Sequence, residues 1–160
     1  ENFGGHTYAA GLSLKEENLD AFTQRFLKLA ADEIIPEQMT PQIDIDAVLD
    51  LQDINAKFMS ELKKMNPFGP DNQKPVFCSL GVKDYGTSKL VGKDLEHIKL
   101  ELIDDKSNTP IHGIAFGMHQ HNTHIKNMKP FNICYTIEEN TYNGNTSLQL
   151  MVKDIKENDI

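Results

Sequence analysis

The chain has 160 residues, 39% of them hydrophobic and 25% charged, which is enough for the core of one large domain or two small ones. Its formal net charge of −8 disfavours a generic basic nucleic-acid binder, although a local basic channel is compatible with an acidic protein. The sequence contains no signal peptide and no apolar run of the roughly 18 residues that a membrane helix requires, so we expect an excised or processed piece of a cytoplasmic protein.

A glycine-rich segment surrounds the first histidine, with the sequence GGHTYAAG at residues 4–11. Glycine adopts positive φ, and successive backbone N–H groups in such a turn converge into a concave anion site. The histidine adds a further hydrogen-bond donor. The segment therefore predicts a phosphate-binding turn, and the alternative is a tight turn that the glycines form for packing alone.

The first part of the chain predicts two strands that alternate with two helices. Small and apolar residues predict a strand over 8–14, and apolar residues at helical spacing predict a helix over 16–33. Ile43 and Ile45 alternate with aspartates and predict a second strand. Asp53 is expected to cap the second helix. This β-α-β-α order is a partial α/β segment that is too small to bury a good core alone.

A Pro/Gly-rich linker over 66–75 separates this part from one that is rich in strands. Strands are predicted over 76–91, 97–103, 111–116, 131–138 and 147–155, with a short helix within 119–128. An Asn-Gly pair at 143–144 is a strong hairpin signal. Five strands with one helix between the third and the fourth have the order of an OB-fold, a small Greek-key barrel that often binds oligonucleotides. We therefore predict an α+β fold, with a connector over 53–75 and an OB-fold domain over 76–160.

Six lysines and one tyrosine of the second part are candidates for binding single-stranded DNA, because OB-folds combine a positive groove with aromatic stacking platforms. These residues are Lys83, Tyr85, Lys89, Lys93, Lys99, Lys126 and Lys129. The alternative for each lysine is an ordinary surface position. Four phenylalanines, at 68, 77, 116 and 131, are expected in the core.

Two groups of potential metal ligands are expected to be structural. The aspartates within 44–53 lack the glycine and the terminal glutamate of an EF-hand loop, which favours a solvated face. The histidines within 119–124 do not share one helix face and have no nearby carboxylate or cysteine, which favours a polar helix. Cys78 and Cys134 lie in apolar strands and are expected to be buried thiols and not a disulfide.

Several motifs resemble the RecJ family of DHH phosphoesterases. The segment GGHxxAAG matches the signature of the DHH-associated domain, and the linker from Pro67 to Phe77 resembles the join to the C-terminal OB domain of RecJ. The segments HIKL at 97–100, IAF at 114–116 and LQLxVxDI at 148–155 are also similar. Together these motifs cover nearly the whole chain in the right order.

The resemblance implies specific roles for the parts of the chain. Residues 1–52 would be the C-terminal part of a DHH-associated domain, with a phosphate-binding segment made of Gly4, Gly5, His6, Ala9, Ala10 and Gly11. The full-length protein would be a 5′→3′ exonuclease specific for single-stranded DNA, acting in DNA repair and recombination. In that family an N-terminal DHH domain holds Mn²⁺ or Mg²⁺ through Asp and His residues.

The triplet Asp-His-His occurs nowhere in the sequence, so we expect no metal site, no cofactor and no catalytic activity in this chain alone. The expected partners are single-stranded DNA and single-stranded-DNA-binding protein, with no membrane contact. The alternative function is a non-enzymatic OB-fold module used mainly for protein contacts with repair factors. Its acidic balance favours that alternative.

Overall fold

The computed structural model describes residues 2–6 and 8–158, which form two compact units divided between Ile43 and Asp44. The predicted division into residues 1–52, 53–75 and 76–160 stays a prediction. None of the helices in the described part of the chain is long and apolar enough to cross a membrane.

The first unit consists of a β-hairpin followed by a helix. Strand β1 (Phe3–His6) pairs antiparallel with β2 (Ala9–Leu12), and helix α1 spans Leu19–Glu33. Glycine is required at Gly5, because a Cβ there would lie 2.9 Å from the Cβ of Ala10. The predicted helix begins three residues late, because residues 16–18 form a 3₁₀ turn.

The second predicted strand, at Ile43 and Ile45, is wrong. Residues 41–46 are irregular, and the strand β3 is the dipeptide Ala47–Val48, which pairs parallel with the first barrel strand. Asp46 fixes the start of this pairing, since its backbone N–H donates to Val76 O and its Oδ2 accepts from Val76 N, both at 2.8 Å. Among the residues that the structure describes, residues 43–45 have no neighbouring strand with which to form hydrogen bonds, so they form no strand despite their alternating pattern.

The second unit is an OB-fold barrel. Its remaining strands are β4 (Phe77–Asp84), β5 (Lys89–Val91), β6 (His97–Ile103), β7 (Ile111–Ala115), β8 (Phe131–Tyr142) and β9 (Asn145–Glu157). The pairings β4–β8–β9–β7–β6–β4 close a five-stranded cycle in which only β7 and β9 are parallel. β5 continues the course of β4 and also pairs with β6. A 3₁₀ turn and helix α3 (Asn122–Lys126) lie between β7 and β8, so the predicted OB-fold and its helix are confirmed.

The connector helix α2 (Ala56–Lys63) begins at a different cap from the predicted one. The side chain of Asn55 accepts from the backbone N–H groups of Lys57 and Phe58 at 3.0 and 3.1 Å, whereas Asp53 belongs to the preceding 3₁₀ turn. α2 packs on the barrel through the buried Leu62, and Phe58 contacts Phe77 edge to face at 5.5 Å.

The barrel core contains a short series of hydrogen bonds between buried polar groups. The Oγ of Ser79 lies 2.7 Å from both Leu49 O and the hydroxyl of Tyr135. Since the Ser79 hydroxyl donates to the carbonyl, Tyr135 donates to Ser79. Burial strongly raises the pKa of Tyr135, so its hydroxyl stays protonated. Ile125 of α3 is fully buried in the same core, which explains why this short helix is part of the fold.

The two cysteines face each other directly across β4 and β8, and both are free thiols, as predicted, but only Cys78 is buried and Cys134 is partly exposed. Burial raises the pKa of Cys78, partly offset by a hydrogen bond with Cys134. Burial, together with Cys78 and Asp154 nearby, raises the pKa of Cys134 to about 11.

Candidate nucleic-acid interface

The outer surface of β6 and β7 carries most of the candidate residues. Because successive side chains of a strand point to opposite faces, the buried Ile98, Leu100 and Leu102 of β6 alternate with outward-facing His97, Lys99 and Glu101. On β7, His112 and Ile114 point outward in the same way. We call the outward residues Lys89, His97, Lys99, Glu101, His112 and Ile114 the β6–β7 face.

Two unneutralised lysines occupy the centre of this face. Lys89 lies directly opposite Lys99 in the β5–β6 register, and both side chains are exposed. Within the described residues, neither ammonium group has an ion-pair partner. Like charges directly opposite each other are destabilising, by up to about 1 kcal/mol, and an anion bound between them removes that cost. The pair is therefore suited to a phosphate group.

Shallow depressions continue from these lysines across the barrel. One of about 340 Å³ is lined by Lys99, His112, Asn140, Ser147 and Gln149. A second of about 500 Å³ shares His112 and Ser147 with the first and reaches the loop that joins β6 to β7. The two together form a polar path that leads away from the lysine pair.

Tyr85 lies at the edge of the β6–β7 face. Its backbone N–H donates to Glu101 O at 2.8 Å, and its side chain is half-exposed. The carboxylate of Glu101 accepts from the Thr87 hydroxyl and lies 3.6 Å from His112 Nδ1. Glu101 is therefore held by a hydrogen bond from Thr87 and lies beside the imidazole of His112.

A buried carboxylate, Asp84, supports the same edge. Its Oδ1 accepts from Ser88 N at 3.1 Å, and the Ser88 hydroxyl in turn accepts from Glu101 N at 2.9 Å. Burial opposes the ionisation of Asp84, but hydrogen bonds from Ser88 and Gly86 and the charge of Lys126 outweigh it, so the pKa is lowered. The ionised Asp84 holds the 84–88 turn in place.

The other predicted lysines have different surroundings. Lys83 Nζ lies 3.1 Å from Asp105, and Lys126 Nζ lies 3.5 Å from Asp84, so both are partly neutralised. Lys93 is exposed in the loop between β5 and β6. Lys129 is exposed after α3, away from the β6–β7 face in the chain. The structure therefore brings Lys89 and Lys99 together and leaves Lys126 and Lys129 on the segment around α3.

Sequence reasoning missed two aromatic residues at the end of the β6–β7 face. Phe116, which was expected in the core, is 54% exposed. Its ring contacts that of His97 edge to face, with centroids 4.9 Å apart. The signal that would have found it is strand alternation, since Ala115 points inward and the next residue must point outward.

A backbone hydrogen bond and a nearby carboxylate orient the imidazole of His97. Its Nδ1 accepts from Gly117 N at 3.0 Å, and its Nε2 lies 3.2 Å from Glu96 Oε1. Hydrogen bonds from the backbone of Glu96 and Asp94 lower the pKa of Glu96, which outweighs its desolvation. Glycine is required at Gly92 for this arrangement, because φ is +96° and a Cβ would lie 2.6 Å from the Glu96 carboxylate.

The glycine-rich segment is extended, and the predicted turn with glycines at positive φ is wrong. Gly4 and Gly5 lie in β1, where they pair with Gly11 and Ala10, and His6 pairs with Ala9. The φ angles of Gly4, Gly5 and Gly11 are all negative or extended. Thr7, at the tip, lies outside the described residues. His6 is exposed, and its Nδ1 accepts from Tyr8 N at 3.2 Å.

Two histidines of the histidine-rich segment contact one carboxylate of β9. Glu157 Oε1 lies 2.7 Å from His121 Nδ1, and Glu157 Oε2 lies 3.2 Å from His124 Nδ1. Both imidazoles are mostly buried, unlike the predicted solvated helix. Residues 2–6 and 8–158 contain no group of three or more His, Cys, Asp or Glu side chains arranged for a metal ion. They therefore do not fit Mn²⁺ or Mg²⁺.

Comparison with known proteins identifies relatives of this chain. RecJ single-stranded-DNA-specific exonucleases from Haemophilus influenzae and Bacillus subtilis are 29% and 28% identical to it over 154 residues. These matches cover 96% of this chain but 26% and 19% of the relatives, so the chain spans about a quarter of their length or less. A crystal structure of RecJ in complex with Mn²⁺ from Thermus thermophilus has the same fold, with a TM-score of 0.75 and 19% identity over 99% of this chain and 22% of that one.

A family model described as the RecJ OB domain matches residues 45–154. That range contains β3 to β8 and all but the end of β9, which are the strands of the closed barrel and the β6–β7 face. The match covers more than half of the chain. The chain therefore belongs to the RecJ OB domain family.

Proposed function

We propose that this chain is the C-terminal region of a RecJ-like 5′→3′ single-stranded-DNA exonuclease and that its barrel binds the DNA strand. The observation that carries the proposal is the unneutralised pair Lys89 and Lys99 on the β6–β7 face of a RecJ OB domain. OB-folds bind single strands across this surface of the barrel. Along β6, the positions from His97 to Ile103 span about 20 Å, enough for a few nucleotides.

The proposed role of the barrel is positioning. Binding the strand on a rigid surface makes its reaction with a linked catalytic domain effectively intramolecular. The hydrolytic metals belong, in this proposal, to a DHH domain outside the chain. Lys89 and Lys99 would bind phosphates, with Lys83, Tyr85 and Lys93 along the same side of the barrel. Lys126 and Lys129 would extend the contact only if the strand also crosses the segment around α3.

The hairpin of the first unit is proposed to position a phosphate near the scissile bond. The backbone N–H of Gly5, which points away from β2, and the exposed imidazole of His6 are the donors, with Gly4, Ala9, Ala10 and Gly11 allowing close approach. Because the segment is extended, these donors would contact the phosphate from the hairpin edge and not from a concave turn. Such preorganised donors contribute most when charge develops at the transition state.

Oligonucleotide binding under varied salt tests the role of the barrel. The anisotropy of a fluorescein-labelled 12-residue oligothymidylate would be measured for the full chain and for Lys89→Ala/Lys99→Ala, with Lys28→Ala/Lys57→Ala, at two exposed helix positions, as the charge-matched control. We expect the double variant to lower the salt slope by about 1.4, since each lost phosphate contact on a single strand removes about 0.7. Unchanged slopes in both variants would contradict the proposal.

A protein-docking module is the second candidate function. It is favoured by the net charge of −8 and by exposed apolar side chains of the barrel, such as Leu80 and Leu95. Its partner would be single-stranded-DNA-binding protein or another repair factor. Undetectable oligonucleotide binding at low salt, together with retained binding of such a protein, would favour this function over DNA binding.

A further inference from the structure

Phe116 extends the β6–β7 face with an exposed aromatic ring. In the β6–β7 register Ile98 lies opposite Ala115, so Phe116 follows at the level of His97. Ala115 is fully buried, and the ring of Phe116 therefore points to the outer surface. This places it on the same side of the barrel as Lys99, two residues further along β6.

The ring of Phe116 is held by a partner that is itself fixed. Nδ1 of His97 accepts a hydrogen bond from Gly117 N, and its Nε2 lies 3.2 Å from Glu96 Oε1. Since Nδ1 accepts a hydrogen bond, a neutral imidazole carries its proton on Nε2, on the side of the Glu96 carboxylate. The two rings meet at 78°, and an edge-to-face contact covers at most one face of Phe116. A face of the ring stays open to solvent.

The distance between this ring and the lysine pair matches a nucleotide. Two residues along a strand correspond to about 7 Å, so Phe116 and His97 lie one row from Lys99 and Lys89. A nucleotide of an extended strand places its base and its phosphate about that far apart. The cross-strand pair Lys89–Lys99 therefore offers cations for the phosphate, and the neighbouring pair His97–Phe116 offers an aromatic face for the base.

The surroundings of Phe116 favour a base over an apolar protein side chain. Its ring contact is with His97, which lies beside Glu96, and Ile114 is the one apolar residue that the β6–β7 face as defined above adds next to it. An apolar docking site requires a contiguous apolar patch. A base, in contrast, needs one rigid ring and nearby polar groups.

We propose that Phe116, braced by His97, is a stacking platform for an unpaired nucleobase of the strand bound at the β6–β7 face. The inference rests on the proposed DNA-binding function and adds the source of its preference for single strands. The bases of a duplex are already stacked on each other, and only an unpaired base can place a face on Phe116. The lysines would bind the phosphates of duplex and single-stranded DNA alike, whereas the Phe116 ring would add affinity for the single strand alone.

Removing the base from the probe tests this inference directly. The probes are labelled 12-residue oligothymidylate and a 12-residue strand with the same sugar-phosphate backbone in which every base is absent. The proteins are the full chain, Phe116→Ala, Phe116→Tyr, and Leu80→Ala, an equally exposed apolar position on β4 outside the face. Melting temperatures of all variants would be compared, and little change is expected because Phe116 is exposed.

We expect Phe116→Ala to weaken binding of oligothymidylate by about 5- to 100-fold and to leave binding of the abasic strand unchanged. Phe116→Tyr keeps the ring and should bind both probes as the parent chain does, as should Leu80→Ala. The salt slope should be the same in all four proteins, because no phosphate contact is lost.

The outcomes separate this inference from the proposed function. If the parent chain binds both probes equally, or if Phe116→Ala weakens both equally, the platform is refuted while DNA binding stands. If the parent chain binds neither probe at low salt, both proposals fail. An effect of Phe116→Ala on protein partners alone would assign the ring to a docking surface and overturn the platform.

Discussion

The two units of the chain use apolar residues in opposite ways. In the barrel, side chains such as Phe131, Ile98 and Leu100 are completely buried. In the first unit, none of the described residues is buried, and Phe22 and Phe26 of α1 stack on each other while remaining exposed. The sequence of α1 has the amphipathic pattern of a helix that packs on a core, but none of the described residues in its own unit covers the apolar face.

This difference shows what hydrophobic periodicity can and cannot predict. The pattern in α1 and the patterns in β6 and β9 equally indicate faces that avoid water. Only in the barrel are these apolar faces covered, because five strands in a closed cycle place their inward faces against each other. A hairpin and one helix have too little surface to do so. Stability should therefore reside in the barrel, and the first unit should matter for activity instead.

The largest effect is expected from a matched pair of phenylalanines. Phe131→Ala leaves a cavity in the closed barrel and should lower the free energy of unfolding by about 3 to 5 kcal/mol. Phe26→Ala in α1 removes an exposed ring and should change it by less than about 0.5 kcal/mol. Urea denaturation followed by circular dichroism of the full chain measures both values. A loss of several kcal/mol in Phe26→Ala would show that α1 is part of the stable core.

The second prediction concerns a residue of the first unit that should affect activity and not stability. In the longer exonuclease that would contain this chain, His6→Ala should lower the turnover of single-stranded DNA by about 10- to 100-fold, through loss of a donor to the phosphate. The melting temperature should not change, because His6 is exposed. His6→Gln retains an N–H donor and should recover part of the rate. Normal turnover of His6→Ala would remove the hairpin from the active site.

Much of the barrel could be predicted from the sequence because its signals are local. Strand alternation, the linker prolines and the Asn143-Gly144 pair indicated the order of five strands with a helix before the fourth. Asn143 and Gly144 indeed take positive φ between β8 and β9, as a two-residue hairpin turn requires. Failures occurred where pairing was not local. The strand predicted at Ile43 and Ile45 lacked a neighbour, and β3 formed where the chain met β4.

The candidate site was only partly predictable for the same reason. Each lysine could be named as a candidate, but the direct opposition of Lys89 and Lys99 depends on the register between β5 and β6. Salt bridges across the fold, such as Lys83 to Asp105, could not be read from spacing. Glu157, which joins His121 and His124, lies over thirty residues away in sequence.

The third prediction tests how firmly the segment before α2 belongs to the barrel. Asp104 accepts from Leu51 N at 2.8 Å and from the backbone of Lys106 and Ser107, which ties the 3₁₀ turn Leu51–Asp53 to the β6–β7 loop. Burial opposes ionisation of Asp104, but these hydrogen bonds outweigh it and lower its pKa. Because the folded pKa lies below the unfolded one, the carboxylate stabilises the fold above about pH 4 and stops doing so as the pH falls through the folded value.

Asp104→Asn should therefore cost about 1 to 3 kcal/mol at pH 7, since both carboxylate oxygens accept from backbone N–H groups and an amide keeps only one accepting oxygen. The loss should shrink toward low pH, where the parent side chain is itself protonated. Urea denaturation at a series of pH values measures the difference. A cost that is the same at all pH values would show that the charge of Asp104 is irrelevant, and Asp105→Asn, at an 87% exposed side chain, is the matched control.

The last prediction concerns the reactivity of the paired thiols. Burial raises the pKa of Cys134 to about 11, so at pH 8 only about one molecule in a thousand carries its thiolate, compared with about a quarter for an unperturbed cysteine of pKa about 8.5. Reaction of the folded chain with an aromatic disulfide reagent should be at least about 100-fold slower than that of the chain in denaturant, and the rate should rise about tenfold per pH unit up to that pKa. Fast reaction at pH 8 would mean that the strands β4 and β8 separate readily, and the barrel would then be less rigid than its closed pairing implies.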